Sequence, residues 1–192
     1  MKWLGGMLLG FVLLVVAACL VLWLGLFEVA ATKPPGKLEE GLARFALNRA
    51  VARRASKASN PLPASAETWG EGLAHYRENC AECHGGPGIE ASEAGQGLNP
   101  PAPDLTLPRV QKRPDGELYW IVANGIRMTG MPAFGPTHKE KEIWEIVAFL
   151  RHLDALSAEE EKALERAGGT SHHADEPPAA ATPAPKDGAR PE

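Results

Sequence analysis

Two hydrophobic patterns divide the chain. From Trp3 to Phe27 run 25 residues without a formal charge, dominated by Leu, Val, Gly and Ala. A helix of that length crosses the roughly 30 Å hydrocarbon core of a bilayer. Lys2 precedes it, and Trp3, Trp23 and Phe27 fall near its two interfaces. A cleaved signal peptide would carry a shorter apolar region, about 7–15 residues. Val16-Ala17-Ala18-Cys19 has the form of a lipoprotein cleavage site. The chain stays apolar from Leu20 to Phe27, however, so Cys19 reads as a small buried hydrophobe and residues 1–27 as an uncleaved anchor.

Beyond the anchor the apolar positions recur at helical spacing. Residues 28–65 read as a basic, partly helical linker. Pro34-Pro35-Gly36 break the chain, and a helix is expected over 37–58 with Leu38, Leu42 and Phe45 on one stripe. Two readings stand for it: a solvated spacer, or a basic helix resting on anionic headgroups or on a partner subunit. Asn60-Pro61-Leu62-Pro63 closes the segment.

From residue 66 the pattern is that of a folded all-α domain extending to 156. Thr68-Trp69-Gly70-Glu71 has the form of a capping box, followed by Trp69, Leu73, Tyr76 and Cys80 at helical spacing. Residues 85–114 are rich in Gly and Pro, an unusual length of loop unless something functional fills it. Asp115 reads as an N-cap and Gly125 as a stop, around the stripe Leu118, Ile121, Val122. A second capping box, Thr137 to Glu140, opens the strongest amphipathic helix, with Ile143, Ile146, Val147, Leu150 and Leu153 on one face. Ser157 and Glu160 cap a short charged helix ending at Gly168-Gly169, and the Pro/Ala-rich remainder to 192 is expected to be disordered.

Charge sharpens this division. Formal net charge is +1 over residues 1–27, +4 over 28–65, −5 over 66–156 and −4 over 157–192. A nucleic-acid-binding domain would carry a clustered basic surface, and the folded part here is acidic, so nucleic acid is excluded as a partner.

The chemistry lies in Cys80-Ala81-Glu82-Cys83-His84. Two thiols three residues apart, followed at once by an imidazole, match the attachment site for a c-type haem. Thiols one helical turn apart can each add to a vinyl group of one porphyrin edge, and the adjacent histidine is then held beneath the iron. A thioredoxin-like Cys-x-x-Cys would open a helix after a strand, whereas here a helical pattern comes before and glycines after. A zinc site would need four ligands, and the third cysteine, Cys19, lies in the apolar run. One such motif implies one covalent haem. Because a c-type haem is attached outside the cytoplasm in bacteria, the amino terminus would face the cytoplasm, although Lys33, Lys37 and Arg44 beyond the span oppose that orientation.

Together with Gly130-Met131-Pro132-Ala133-Phe134, this motif resembles the class I monohaem cytochromes c. The likeness is to the small membrane-anchored bacterial kind, similar to cytochrome domains of cbb3-type oxidases, over about residues 66–156. It implies a few helices wrapped around one haem c, with an N-terminal transmembrane helix and a disordered tail outside the domain. It implies that Cys80 and Cys83 form the thioethers, His84 binds iron proximally and Met131 binds it distally. Met128, in the same loop, is the rival methionine, and His138 an alternative giving bis-histidine ligation. Gly72, Tyr76 and Cys80 match the family's contact between first and last helices, and Pro100 or Pro101 would offer a carbonyl to the proximal imidazole. His75 and His152 read as solvated or structural, and His172-His173 as a solvated pair in the tail.

The function so implied is one-electron transfer between protein redox partners on the periplasmic face of a bacterial inner membrane. A second reading makes the chain a fixed haem subunit of a larger respiratory dehydrogenase or oxidase. A haem enzyme or gas sensor would require iron not held by Met131, and no His/Arg or Glu/Gln constellation for peroxide chemistry surrounds that residue.

Overall fold

The computed structural model describes residues 2–26 and 28–168. Phe27 and the tail from 169, with His172 and His173, lie outside the described residues. Helix is the sole regular structure among the described residues; the nearest thing to a strand is one isolated bridge between Gly86 and Ile89.

Helix α1 (Lys2–Trp23) contains the stretch Gly5–Trp23, long and apolar enough to cross a membrane, as an anchor or a signal sequence would be. None of its described side chains is buried by protein. Cys19 lies on this helix and is not covered by protein among the described residues. Helix α2 (Lys37–Arg54) ends at Arg54, earlier than the expected 58.

The domain itself is built on a crossing of α3 (Ala66–Asn79) with α8 (Glu140–His152). Gly72 lets the two backbones meet, because a Cβ there would lie 2.2 Å from the Glu145 carbonyl oxygen and 2.7 Å from Phe149 Cβ. One turn further on, the Tyr76 ring tilts against Phe149 with centroids 5.3 Å apart. Every residue from Ile143 to Leu150 is buried. The apolar stripe read from the sequence is therefore the core face, and burying each large aliphatic side chain there stabilises the fold by about 1.5–3 kcal/mol.

Between these two helices run α4 (Ala81–His84), α5 (Glu93–Gln96), α6 (Pro108–Gln111) and α7 (Asp115–Asn124). Gly125 ends α7 at φ +63°, as expected of a left-handed stop. After α8 a 3₁₀ turn (Leu153–Ala155) leads to α9 (Ala158–Gly168). Leu164 of α9 is buried in the same apolar cluster as Tyr76 and Phe149. The charged helix is thus continuous with the core that was expected to end at 156.

Three caps differ from expectation. Ser65, not Thr68, caps α3, its hydroxyl accepting from the Thr68 N–H. Asp115 is the first residue of α7 instead of its cap. Its carboxylate accepts from the Asn60 N–H at 3.0 Å and from the Arg151 guanidinium at 2.8 and 2.9 Å, and so joins linker, α7 and α8. At α8 the Glu142 carboxylate accepts from the Lys139 N–H at 2.7 Å, while Thr137 bonds backward to the Phe134 carbonyl. In each case several polar residues satisfy the same short pattern, and packing of the helix decides which one caps.

The linker is not a free spacer. Val51 of α2 is fully buried, and Arg113 donates to the Asn48 side chain. Gly116 admits the linker backbone so closely that a Cβ there would lie 2.0 Å from the Ser56 carbonyl oxygen. Asn60 then donates to the Trp144 carbonyl at 2.8 Å.

Candidate haem site

The Cys-x-x-Cys-His motif sits where α3 gives way to α4. Cys80 follows Asn79, the last residue of α3, as its C-terminal cap and directly precedes α4. The Cys83 and His84 amides both donate to the Cys80 carbonyl, at 3.1 and 2.9 Å, which winds the motif into a single turn. Behind it the buried Tyr76 hydroxyl donates to the Gly85 carbonyl at 2.9 Å. Gly85, at φ +62°, reverses the chain, and Gly86 and Ile89 exchange backbone hydrogen bonds at 2.9 Å. The loop then folds back over the motif: Ser92 N–H donates to the Glu82 carbonyl, and a Cβ on Gly95 would lie 2.9 Å from Cys83 Cα.

Both thiols are free, Cys80 buried and Cys83 half-buried. Burial, with Cys83 adding to it, pushes the Cys80 thiol up to about 12. Burial and the neighbouring Glu82 raise that of Cys83 as well. Raised thiols are the opposite of what a redox dithiol requires, a thiolate stabilised near neutral pH.

His84 has the complementary character. Burial lowers its pKa against the opposing effect of a backbone partner, so the ring is held neutral. Its Nδ1–H donates to the Pro103 carbonyl at 2.8 Å, which leaves the Nε2 lone pair free for a metal and fixes the ring plane. Sequence reasoning expected Pro100 or Pro101 in this role. The register is instead set by a turn just downstream, in which the Asp104 carboxylate accepts from the Thr106 N–H at 2.8 Å and from its hydroxyl at 2.7 Å. An Asp followed two residues later by Thr carries that signal in the sequence.

The methionine loop separates its two candidates. Met128 is 91% exposed and adopts φ +63°, pointing away from the protein. Met131 is half-buried and packs on the apolar cluster that contains Cys80, Phe134 and Leu105. Thr129, which sequence reasoning passed over, shapes this turn: its hydroxyl donates to the Ile126 carbonyl at 2.7 Å and accepts from the Met131 N–H at 3.1 Å. The Met131 carbonyl in turn accepts from Ile126 N–H.

The other described histidines make contacts of their own. His138 is half-buried, edge-on to Phe134, and its Nδ1 shares a hydrogen bond with Thr137. His75 approaches it at 5.4 Å between centroids. His152 stacks flat on Trp69 at 3.9 Å and meets the Glu160 carboxylate at 3.2 Å, a structural position.

Cys80 and Met131 belong to one apolar neighbourhood, and the Cys83 thiol and the neutral His84 imidazole follow Cys80 within the same helical turn. That donor set fits a haem held by two thioether links between imidazole and thioether ligands. Comparison with known proteins agrees, for the family described as cytochrome c oxidase, cbb3-type, subunit III, matches residues 67–150. That stretch is a class I cytochrome c domain of the cbb3 type. Domains of this family bind haem and serve electron transfer. No curated protein matches the chain significantly.

Proposed function

We propose that the chain is a membrane-anchored c-type cytochrome carrying one electron at a time between protein partners on the periplasmic face of a bacterial inner membrane. The observation that carries this reading is the contrast between the two methionines, one packed against the cluster that holds Cys80 and the other turned to solvent. Cys80 and Cys83 would hold one haem c covalently, with His84 and Met131 as axial ligands. Bound there, the haem supplies a reversible ferric–ferrous couple.

The chain's residues do the rest. Burial keeps the His84 ring neutral, and the Pro103 carbonyl orients it. Met131 would offer the haem iron a soft, neutral sulfur, which favours the ferrous state and would leave no place for substrate. The acidic domain favours partners with a basic docking patch. This is an electron-transfer protein rather than an enzyme.

The name of the matching family favours a second reading, in which the chain is a fixed haem subunit of an oxidase assembly. Potentiometric titration of the purified full chain tests the first. A single one-electron Nernst curve, with ferrous protein that resists carbon monoxide, is expected. Rapid carbon monoxide binding by the folded ferrous protein would refute the carrier role. Co-purification of the chain with oxidase subunits in constant proportion would favour the second reading.

A further inference from the structure

Helix α2 presents two opposed faces. On one side Leu47 is half-buried and Val51 fully buried, fastened to α7 beside the Arg113–Asn48 and Gly116–Ser56 contacts. On the other side Leu38, Leu42 and Phe45 stand 76%, 60% and 67% exposed. The helical repeat continues this stripe into Arg49 and Arg53, both exposed. One face thus carries three large apolar side chains and then two cations.

We propose that this face of α2 lies in the headgroup region of an anionic phospholipid bilayer. Leu38, Leu42 and Phe45 would enter the acyl boundary, and Arg49 and Arg53 would meet phosphates. The inference rests on the reading of α1 as an uncleaved anchor.

Place and charge select lipid as the occupant. Only residues 24–36 separate the end of α1 from the start of α2. That tether is also held against the domain, because Asn99 donates to the carbonyls of Ala31 and Lys33 at 3.1 and 2.9 Å. A helix so close to a membrane span reaches the surface without further unfolding of the linker. The haem domain, at net −5, would be repelled by an anionic surface, whereas the linker, at +4, is attracted to it. An apolar stripe with basic residues on the same amphipathic helix is the pattern of an interfacial helix. Since α2 is bolted to α7, binding there would fix which side of the haem domain faces the membrane and which side faces redox partners.

The test uses the full chain, haem-loaded, in vesicles of phosphatidylcholine with phosphatidylglycerol. Cys19→Ala removes the one thiol outside the haem motif, and a spin label is placed by Leu42→Cys or, as the exposed control on the far side of the helix, Ala43→Cys. Accessibility to oxygen, which concentrates in lipid, is compared with accessibility to a water-soluble nickel chelate. The expected result is an oxygen-to-nickel ratio several-fold higher at 42 than at 43. Arg49→Gln with Arg53→Gln should shrink that difference, as should vesicles of phosphatidylcholine alone. Equal nickel access at 42 and 43 overturns the proposal. Shielding of 42 from both reagents also overturns it, by showing that a protein or a second copy covers the stripe. An undiminished difference in the arginine double variant overturns the phosphate contact. If the protein fails to stay with the vesicles, the anchor reading fails first and the inference falls with it.

Discussion

Gly72 lies so close to Glu145 that the backbone of α3 touches the carbonyl of α8 with no room for a side chain between them. This contact seats Tyr76 against Phe149, and Tyr76 in turn holds the Gly85 carbonyl just after the haem-attachment motif. The helix crossing and the site therefore share one chain of contacts.

Gly72→Ala should consequently destabilise the haem-bound protein by about 1–3 kcal/mol, since the added methyl meets backbone that cannot rotate away. Gly70→Ala, two residues earlier, meets nothing within 4 Å and should stabilise by about 0.5–1 kcal/mol through helix propensity. Urea unfolding followed by haem absorbance distinguishes them. Equal effects of the two substitutions would show that the close approach is not limiting.

Acid should loosen α9 first. Burial alone would raise the Glu160 carboxyl, but the Ser157 N–H and hydroxyl, with His152, outweigh it and hold it below its ordinary value. A carboxylate depressed in the folded state contributes stability above its unfolded pKa and loses it as pH falls through the folded value. The stability difference between the parent and Glu160→Gln should thus be full near neutrality, begin to fall near pH 4.5 and vanish below the folded pKa. Hydrogen exchange of the backbone around Leu164, measured across that range, reports it. A difference unchanged down to strongly acidic pH would show that the Ser157–Glu160 cap is not the acid-sensitive element.

Much of this architecture was legible because it is written in strong periodicity or in rigid chemistry. Ile143, Ile146, Val147, Leu150 and Leu153 recur at helical spacing and are all buried, and Cys80, Cys83 and His84 lie in one helical turn. Weaker signals failed where several residues compete for one job. Ser65 and Thr68 are both able caps, and only the packing of Leu73 and Tyr76 sets where α3 begins. Pro103 was missed because a proline-rich loop has no repeat from which to count its register. Leu164 was hidden among the glutamates of α9, and Val51 among the arginines of α2. In each, a single buried side chain decides the docking of a helix whose composition looks solvated.

The apolar length of α1 yields an expectation for the intact protein. Residues 1–27 should remain on the mature chain, so the haem protein should resist extraction by alkaline carbonate and require detergent. Intact mass should equal the full sequence plus one haem, less any initiator methionine. A mature terminus near Thr32, or a mass showing lipid on Cys19, would replace the anchor with a processed leader.

The sharpest test concerns Met131, since its position separates an electron carrier from a haem enzyme. Among the described residues its sulfur is the one thioether packed on the cluster that contains Cys80, while Met128 stands in solvent. Met131→Ala should therefore open a position on the iron and admit carbon monoxide, which the parent should resist. Met131→His should keep iron six-coordinate but lower the reduction potential, because imidazole favours ferric iron more than a thioether does. The weak iron–sulfur absorption of the ferric protein should vanish in both variants and persist in Met128→Leu. Thr129→Val gives an intermediate case. It removes the hydroxyl that accepts from the Met131 N–H, so the loop should loosen and carbon monoxide should enter slowly, without loss of the covalent haem. If Met128→Leu abolishes the sulfur band and Met131→Leu spares it, the loop must rearrange on haem binding to exchange its two methionines.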